Sequence, residues 1–472
     1  MGTEMGSLST ALSALQSERK ALEVTGQNIA NANTVGYTRQ RANLQAVGGS
    51  VVPAMYSKSD GVGNGVTVSD VQRLQDSFLE QRANSETGRL SSLNASQQTL
   101  ADIENSFGEP GSGGIQTMLA NYFAAWDDVA KNTPDTGARA ALIGLGQSVA
   151  GALNQAATSM SSQWTSSKET LGSTIQQVNS TAANIASLNQ AIVAATAAGN
   201  QPNDLLDQRD NLIRTLASSV GAVAKANVNG STDVLIGGSS LVSGSTSRTV
   251  AVSSSSATAL DQVNGTPPTR VALIWGDTGG SVAIGSGTGA ALLTALNTTI
   301  PSYSSQLDSV AASLVSTVNA QQAAGYDLHG VAGAAFFDPT KLTAGKITVA
   351  ITDGSTIAAS GVAPTLDSSG NTVASLDGSN AQKIAKLSGT GADLAYRQLI
   401  VALGSQSQAV QQKADTQQSV VTQVTAARDS AAGVDLDEEQ THLITFQQAY
   451  NAAAQYMSVL NSVLDTLINR MR

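Results

Sequence analysis

Few side chains in this sequence stand in a pattern that could carry out chemistry. The two histidines, His329 and His442, lie far apart, and neither belongs to an HxxxH or HExxH pattern. We therefore expect no multi-histidine metal centre within one chain, although one histidine could still serve in a catalytic triad. Cysteine is absent, which excludes disulfides, thiolate metal sites and a cysteine nucleophile.

One glycine-rich string has the pattern of a nucleotide-binding loop. Residues 285–290 read GSGTGA, which satisfies G-x-G-x-x-A and follows the strand-like residues 281–284. A dinucleotide site also needs a second parallel strand that ends in an acidic residue about twenty positions later. Asp308 has about that spacing but lies within a helical pattern, so we predict no cofactor at this loop.

Paired carboxylates are the remaining catalytic possibility, because two acidic side chains across a cleft can hydrolyse a glycosidic bond. Asp261 and Asp277 are the candidates, but no motif surrounds either of them. A secreted hydrolase carried on a structural scaffold is therefore the alternative from another functional class. We predict instead that the chain is not an enzyme and has no catalytic, cofactor-binding or metal-binding residues.

Composition excludes further classes of function. The 25 basic and 35 acidic residues give a net charge of −10, which does not favour binding to nucleic acid or to an anionic membrane. Charged residues make up only 13% of the chain, so the polar surface must consist mainly of Ser, Thr, Asn and Gln. No apolar run is long enough for a membrane span, and residues 1–30 lack a secretory signal. We expect a cytoplasmic protein, or one exported by another route.

Both ends of the sequence carry heptad stripes that are typical of pairing helices. The amino-terminal stripe is interrupted by Arg19 and Gly26, and its apolar members are Leu8, Leu12, Leu15, Leu22 and Ile29. The more regular carboxy-terminal stripe comprises Leu443, Phe446, Tyr450, Ala453, Met457, Leu460, Leu464, Leu467 and Met471. Because a lone amphipathic helix is marginal in water, we predict that these helices pair with each other or with another subunit.

A helical pattern continues inside both ends of the chain. It covers about residues 74–220, apart from short breaks, and returns after Gln382 until Gly433. Asp435, with Glu438 three places later, resembles a capping box that starts the last helix. The most regular internal stripe comprises Leu171, Ile175, Val178, Ala182, Ile185, Asn189 and Ile192, and we predict that it is helix core.

Between these helical parts lies a region of different composition. Residues 221–376 are rich in Gly, Ser, Thr and Val, which predicts short strands such as 233–236 and 346–351. One helix, over about 303–324, interrupts them. Residues 46–71 also predict short strands or extended loop.

Specific strings resemble a known family. Residues 26–40, GQNIANANTVGYTRQ, resemble the N-terminal signature of bacterial flagellar rod, hook and hook-associated proteins, and we call them the signature segment. NDLLDQRD at 203–210, GVDLDEE at 433–439 and FQQAY at 446–450 resemble the hook-associated members found between hook and filament. The resemblance covers nearly the whole chain, although the region over about 253–288 is shorter than the variable outer region of many members.

The resemblance implies a structural adaptor that joins the hook to the filament. Such proteins form a ring or helical layer of their own copies, between the hook protein and the next hook-associated protein. They leave the cell through the flagellar type III export channel without a cleaved signal, and a dedicated chaperone binds their C-terminal region. The expected location is therefore extracellular, at the hook–filament junction. Another axial subunit of the hook, rod or filament is the alternative within the family.

The resemblance also places the contact surface in the inner tube of the flagellum. In the signature segment, Asn28, Asn31 and Asn33 can satisfy backbone groups that are freed where a helix ends. Gly36 can adopt a positive φ there, and Tyr37 offers a flat anchor to a neighbouring helix. The predicted assembly interface adds the stripe residues Leu8, Leu12, Leu15, Leu22, Ile29, Leu443, Phe446, Tyr450, Met457, Leu460, Leu464 and Leu467.

We therefore predict a mainly α fold with an inserted β-rich domain. The predicted domains are a terminal coiled-coil domain over 1–45 and 436–472, a helical middle domain with a short β segment over 46–220 and 385–435, and an outer β-rich domain with one interrupting helix over 221–384.

Overall fold

The computed structural model describes residues 2–48, 63–109, 111 and 113–470. Most of these residues are helical, and the few sheets are small, which confirms the predicted mainly α fold with β-rich insertion. Of the predicted elements, much of segment 46–71 and the stripe residue Met471 lie outside the described residues. None of the helices found in the described part of the chain is long and apolar enough to cross a membrane.

The helices are α1 (Gly2–Asn31), α2 (Ser77–Phe107), α3 (Ile115–Lys131), α4 (Thr136–Ala197), α5 (Asn203–Val220), α6 (Leu260–Val263), α7 (Thr288–Thr294), α8 (Ile300–Ala323), α9 (Ser379–Ala385), α10 (Gly391–Ala432) and α11 (Leu436–Arg470). The strands are β1 (Gln40–Ala46), β2 (Val66–Arg73), β3 (Val223–Ala226), β4 (Thr232–Ile236), β5 (Ser239–Ser243), β6 (Thr246–Ser247), β7 (Val250–Val252), β8 (Leu273–Trp275), β9 (Thr365–Leu366) and β10 (Thr372–Val373). They form antiparallel pairs β1–β2, β7–β8 and β9–β10, and a four-stranded antiparallel sheet in the order β3–β4–β5–β6.

The chain divides into two compact units. Unit 1 comprises Met1–Gly88, Val178–Thr249 and Gln418–Arg472, and unit 2 comprises Arg89–Gln177 and Val250–Gln417. Unit 1 therefore contains both ends of the chain together with the internal segment that carries α5 and the four-stranded sheet. The predicted division into three domains is drawn differently and remains a prediction.

The internal stripe on α4 is core, as predicted. All seven of its residues are at most 3% exposed, including the polar Asn189. The Asn189 amide is buried without penalty because it is fully used: Nδ2 donates to the carbonyls of Thr232 and Gly244 at 2.8 and 2.7 Å, and Oδ1 accepts from the Thr232 N–H at 3.0 Å. This side chain thereby fixes the small sheet of unit 1 to α4.

Unit 2 is built around an aromatic cluster. Tyr122 and Trp126 of α3 pack against Phe336 and Phe337, and these four rings are fully buried, with centroids 5.0 to 6.3 Å apart. The buried guanidinium of Arg139 donates to three backbone carbonyls, those of Thr133, Gly354 and Ile357. Irregular backbone after α8 is held in place by these contacts.

Two sequence predictions for the central region are wrong in detail. Residues 346–351 form no strand, because their backbone meets only a short piece of chain: Ala350 N–H donates to Phe336 C=O, and Asp338 N–H donates to Thr348 C=O. Ile347 and Ile351 are nevertheless buried and Val349 between them is half-buried, which explains the strand-like alternation of the sequence. The interrupting helix also starts earlier than predicted, because α7 and a π-helical turn (Ala295–Thr299) lead directly into α8.

The predicted helix ends are confirmed. α5 stops at Gly221, whose φ of 65° gives the left-handed C-cap conformation that favours glycine. α10 ends just before Gly433, and α11 follows. Oδ1 of Asp435 accepts from the backbone N–H of Asp437 at 2.9 Å and of Glu438 at 3.3 Å. The first half of the predicted capping box therefore forms, whereas the Glu438 carboxylate pairs with Arg39 instead.

Candidate assembly interface

The terminal helices pair within unit 1. α1 packs along α11 and also against the β1–β2 ribbon. Asn28, near the end of α1, contacts Glu439, near the start of α11, so the two helices run antiparallel. The pairing that the two heptad stripes predicted is thus made inside one chain.

This pairing covers the predicted stripes only in part. Three stripe residues remain exposed, namely Leu12, Ile29 and Leu467. The other described members are half-buried: Leu8, Leu15, Leu22, Leu443, Phe446, Tyr450, Ala453, Met457, Leu460 and Leu464. Buried positions on α1 belong instead to small or polar residues such as Ala11, Ser17 and Ala21. Much of the apolar surface of both stripes is therefore still available to other partners.

A second apolar stripe on α11 is exposed. Its members Tyr456, Val459 and Val463 follow a three-then-four spacing and are 45%, 58% and 46% exposed. Ile444 and Ile468 are also exposed but lie outside this spacing. The sequence pattern does not single out these residues, because the more regular stripe beside them dominates the heptad repeat. Exposed apolar residues aligned on one helix are typical of an interaction surface.

The signature segment is organised around Asn28, which is 1% exposed. Its Oδ1 accepts from the Tyr37 hydroxyl at 2.8 Å and from the Gln40 N–H at 3.0 Å. Its Nδ2 donates to the Gln40 carbonyl at 2.8 Å and to Oε2 of Glu439 at 3.0 Å. All of its amide hydrogen-bonding positions are used, so Asn28 links the end of α1, the start of β1 and the first turn of α11.

Arg39 completes this arrangement. Its Nε donates to Oε1 of Glu439 at 2.6 Å, and its Nη1 donates to Oε2 of Glu438 at 2.9 Å. Glu439 is 2% exposed, whereas Glu438 lies at the surface. The hydrogen bond from Arg39 lowers the pKa of the Glu438 carboxyl. We call Asn28, Tyr37, Arg39 and Glu439 the polar cluster.

The remaining predicted residues of the signature segment shape the turn that follows α1. The Asn31 carbonyl accepts from the Thr34 N–H at 2.9 Å, and the Asn31 side chain donates back to the Gln27 carbonyl at 3.0 Å. Gly36 has a φ of 83°, as predicted, and a Cβ there would collide with the Asn211 side chain. Asn33 lies exposed on this turn.

Tyr37 anchors the turn through its hydroxyl, which donates to Asn28. Burial raises the pKa of Tyr37 well above its ordinary value, and the negative charges of Asp207, Asp204 and Glu439 raise it further. The phenol therefore stays neutral and keeps its donor proton.

The string at 203–210 fastens the β1–β2 ribbon to α5. Asn203 Nδ2 donates to the Val71 carbonyl at 2.9 Å. Arg73, at the end of β2, pairs through Nη2 with Asp207 Oδ1 at 2.8 Å and with Asp210 Oδ2 at 2.6 Å. Burial raises the pKa of the Asp207 carboxyl, and the positive charge of Arg73 opposes that rise. Arg209 donates to the Gly230 carbonyl at 2.8 Å.

The structure thus unites strings that lie far apart in the sequence. The signature segment, the 203–210 string and the 433–439 string all meet in unit 1. The strings are visible in the sequence, but the ion pairs of Arg39 and Arg73 with their carboxylates are not. The only available signal was the presence of opposite charges in the separate strings, which does not identify partners.

Family models match three parts of the chain. The model described as flagellar hook-associated protein FlgK helical domain matches residues 100–337. Those described as flagella basal body rod protein and flagellar basal body rod FlgEFG protein C-terminal match residues 8–38 and 428–471. Flagellar hook-associated protein 1 of Bacillus subtilis (strain 168) is 30% identical over 515 residues, covering 99% of this chain and 98% of that protein. The chain belongs to the flagellar hook-associated protein 1 family.

Other relatives agree with this assignment. Flagellar hook-associated protein 1 of Escherichia coli (strain K12) is 28% identical, covering 98% of this chain and 99% of that protein. The solved structure of the flagellar hook junction protein FlgK from Burkholderia pseudomallei matches with a TM-score of 0.62 at 19% identity, covering 74% of this chain and 100% of that chain. That structure therefore shares the fold.

The family decides the functional class. Its members are structural proteins of the bacterial flagellum, so this chain is a flagellar structural protein and not an enzyme. The hydrolase alternative, with Asp261 and Asp277 as its catalytic pair, is therefore excluded by the assignment. The resemblance that the signature segment predicted is confirmed.

Proposed function

We propose that this chain is the adaptor that joins the flagellar hook to the filament, and that it assembles with copies of itself through its terminal helices. The names of the relatives and of the structurally similar hook junction protein support the junction role. The observation that carries self-assembly is the second apolar stripe of α11, which the pairing with α1 leaves exposed.

The stripe is large enough to stabilise an assembly. Burying an apolar side chain contributes about 1.5 to 3 kcal/mol. The half-exposed stripe residues Tyr456, Val459 and Val463 therefore contribute on the order of 3 kcal/mol per copy when neighbours cover them. The low content of charged residues, 13% of the chain, also helps, because few ions need to be desolvated at repeated contacts.

The same proposal includes the position of the chain in the flagellum, its neighbours and its route of export. Copies of the chain form a ring or helical layer, with the hook protein on one side and the next hook-associated protein on the other. Residues 1–45 and 436–472 form the inner tube, residues 46–220 and 385–435 surround it, and residues 221–384 face outward. The chain is exported without a cleaved signal, and an export chaperone covers the exposed stripes of the C-terminal region before assembly.

The decisive experiment is electron microscopy of flagella from a strain that lacks this gene. We expect hooks without filaments, and restoration of filaments by the natural gene supplied in trans. A double variant, Val459→Asp with Val463→Asp, should fail to restore them, whereas Ser458→Asp with Asn461→Asp, at exposed polar positions of the same helix, should succeed. Normal filaments in the deletion strain would refute the junction role. Normal filaments with the Val459 and Val463 variant would show that self-assembly does not use the second apolar stripe.

A further inference from the structure

Two buried polar side chains face each other where α1 meets α11. Asn28 and Glu439 are 1% and 2% exposed, whereas the apolar stripe residues around them are half-buried or exposed. A buried carboxylate is costly unless it is paired and hydrogen-bonded. Here it receives both an amide hydrogen bond from Asn28 and an ion pair from Arg39.

The apolar stripes by themselves do not define how the helices are aligned. The α11 stripe repeats at heptad spacing, so sliding α11 by one heptad, about 10 Å, brings apolar residues opposite apolar residues again. Apart from the short connection 433–435 to α10, only features that do not repeat can distinguish the two alignments. Asn28 and Glu439 are such features, since no other pair of described residues on α1 and α11 joins a buried amide to a buried carboxylate.

We infer that the polar cluster sets the antiparallel register of α1 against α11. A slip of one heptad in one direction moves Glu439 opposite Ala21 and leaves its carboxylate without a partner. A slip in the other direction moves Asn28 opposite Phe446 and separates it from Glu439. Single buried polar residues have this role in coiled coils, where they specify register at some expense of stability.

The cluster is rigid enough to act in this way. Asn28 cannot rotate freely, because Tyr37 and both backbone groups of Gln40 hold its amide in one orientation. The backbone of Arg39 is held as well, since its N–H donates to the Ala432 carbonyl at 2.9 Å. Asn28 and Arg39 therefore present fixed donors to α11, and Glu439 meets both of them in only one alignment.

This inference concerns alignment within one chain and goes beyond the proposed junction role. The test is thiol cross-linking of the purified full chain, which has no cysteine of its own. Counting equal distances from the Asn28–Glu439 contact places Leu15 opposite Ala452. Ala452→Cys is therefore combined in turn with Leu15→Cys, or with Leu8→Cys or Leu22→Cys, which report slips of one heptad. A short thiol-to-thiol reagent links the pairs.

In the natural background, we expect the Leu15 pair to cross-link at least about 100-fold faster than either slipped pair, because breaking a buried ion pair is strongly unfavourable. With Asn28→Leu and Glu439→Leu together, this preference should fall below about tenfold, while circular dichroism shows unchanged helix content. If that variant loses helix, Glu439→Gln replaces it, with Glu438→Gln as matched control. Glu439→Gln should weaken the preference at least about tenfold, because its amide group faces the donors of Asn28 and Arg39.

Two results would overturn the inference. One is the absence of a preference for the Leu15 pair in the natural background. The other is a preference that survives unchanged when the polar cluster is altered. Neither result depends on assembly. The inference about register can therefore be wrong while the proposed junction role is right, and the junction role can be wrong while the inference is right.

Discussion

The Nε atom of Arg39 lies 2.6 Å from Oε1 of Glu439, although 400 residues separate them in the chain. The same guanidinium pairs with Glu438 at 2.9 Å, so neighbouring carboxylates share one partner. They differ in burial, because Glu439 is 2% exposed and Glu438 is at the surface. This difference separates a contact that stabilises the fold of unit 1 from one that contributes little.

Glu439→Ala should lower the free energy of unfolding of unit 1 by about 3 kcal/mol, because it leaves Arg39 and Asn28 without their buried partner. Glu438→Ala should cost less than about 1 kcal/mol, as exposed ion pairs do. Urea unfolding followed by circular dichroism measures both. Trp126, Trp164 and Trp275 all lie in unit 2, so the tryptophan fluorescence midpoint is the internal control. Equal losses for the two variants would contradict the distinction.

Two glycines of the signature segment should respond to alanine in opposite directions. Gly26 lies within α1 and a Cβ there meets no atom within 4 Å, so Gly26→Ala should stabilise unit 1 by about 0.5 to 1 kcal/mol. Gly36→Ala should destabilise it by roughly 1 to 3 kcal/mol, because φ is 83° and Asn211 occupies the space. Urea midpoints of the two variants decide the matter, and a stabilising Gly36→Ala would be incompatible with this turn.

Asn189→Leu should destabilise unit 1 by about 3 kcal/mol, even though leucine fits an apolar stripe. The substitution leaves the buried N–H and carbonyl of Thr232 and the Nη1 atom of Arg209 without their amide partner. Gln190→Leu is the matched control, since Gln190 is the exposed neighbour on the same helix, and it should change stability by less than about 0.5 kcal/mol. A neutral Asn189→Leu would show that the sheet does not depend on this amide.

Unit 2 should lose stability in acid because of three aspartates. The N–H of Ser355 lowers the pKa of Asp353, the N–H of Asn371 lowers that of Asp367, and the Ser379 hydroxyl lowers that of Asp377. Their folded pKa values lie below the unfolded value of about 3.9. Their stabilising contribution is therefore complete above about pH 4 and disappears as pH falls through the folded values.

Urea midpoints from tryptophan fluorescence between about pH 5 and pH 2 measure this loss. The triple variant Asp353→Asn, Asp367→Asn and Asp377→Asn should have a shallower dependence of the midpoint on pH. Asp465→Asn, in unit 1, serves as control and should leave the dependence unchanged. The assignment fails if the triple variant has the natural slope.

Leu460→Asp or Leu464→Asp should block assembly of filaments, because each places a charge on the α11 stripe that pairs with α1. Both leucines are half-buried, whereas Asn461 beside them is exposed, so Asn461→Asp controls for added charge. Electron microscopy of complemented cells gives the readout, and unchanged tryptophan fluorescence shows that unit 2 stays folded. Normal filaments with Leu460→Asp would contradict the prediction that assembly needs this stripe.

The sequence predicted the helices well because their evidence is local. The stripe from Leu171 to Ile192 identified a helical core, and the structure buries all of it. Gly221 and Asp435 marked helix ends correctly, because capping depends on the residues of a single turn. The prediction of a strand over 346–351 was wrong because a strand depends on residues that are distant in the sequence. A strand needs a partner along its length, and alternating burial of side chains does not supply one.

What the sequence by itself determined was the class of protein, the positions of its helices and the surfaces that need covering, since strings and periodicity are properties of neighbouring residues. Only the tertiary structure decided which charges meet and which apolar residues remain exposed. Arg39 and Glu439, or Arg73 and Asp207, become partners through the alignment of distant segments, and no local pattern encodes that alignment. The same holds for Val459 and Val463, whose exposure depends on the face of α11 that α1 occupies.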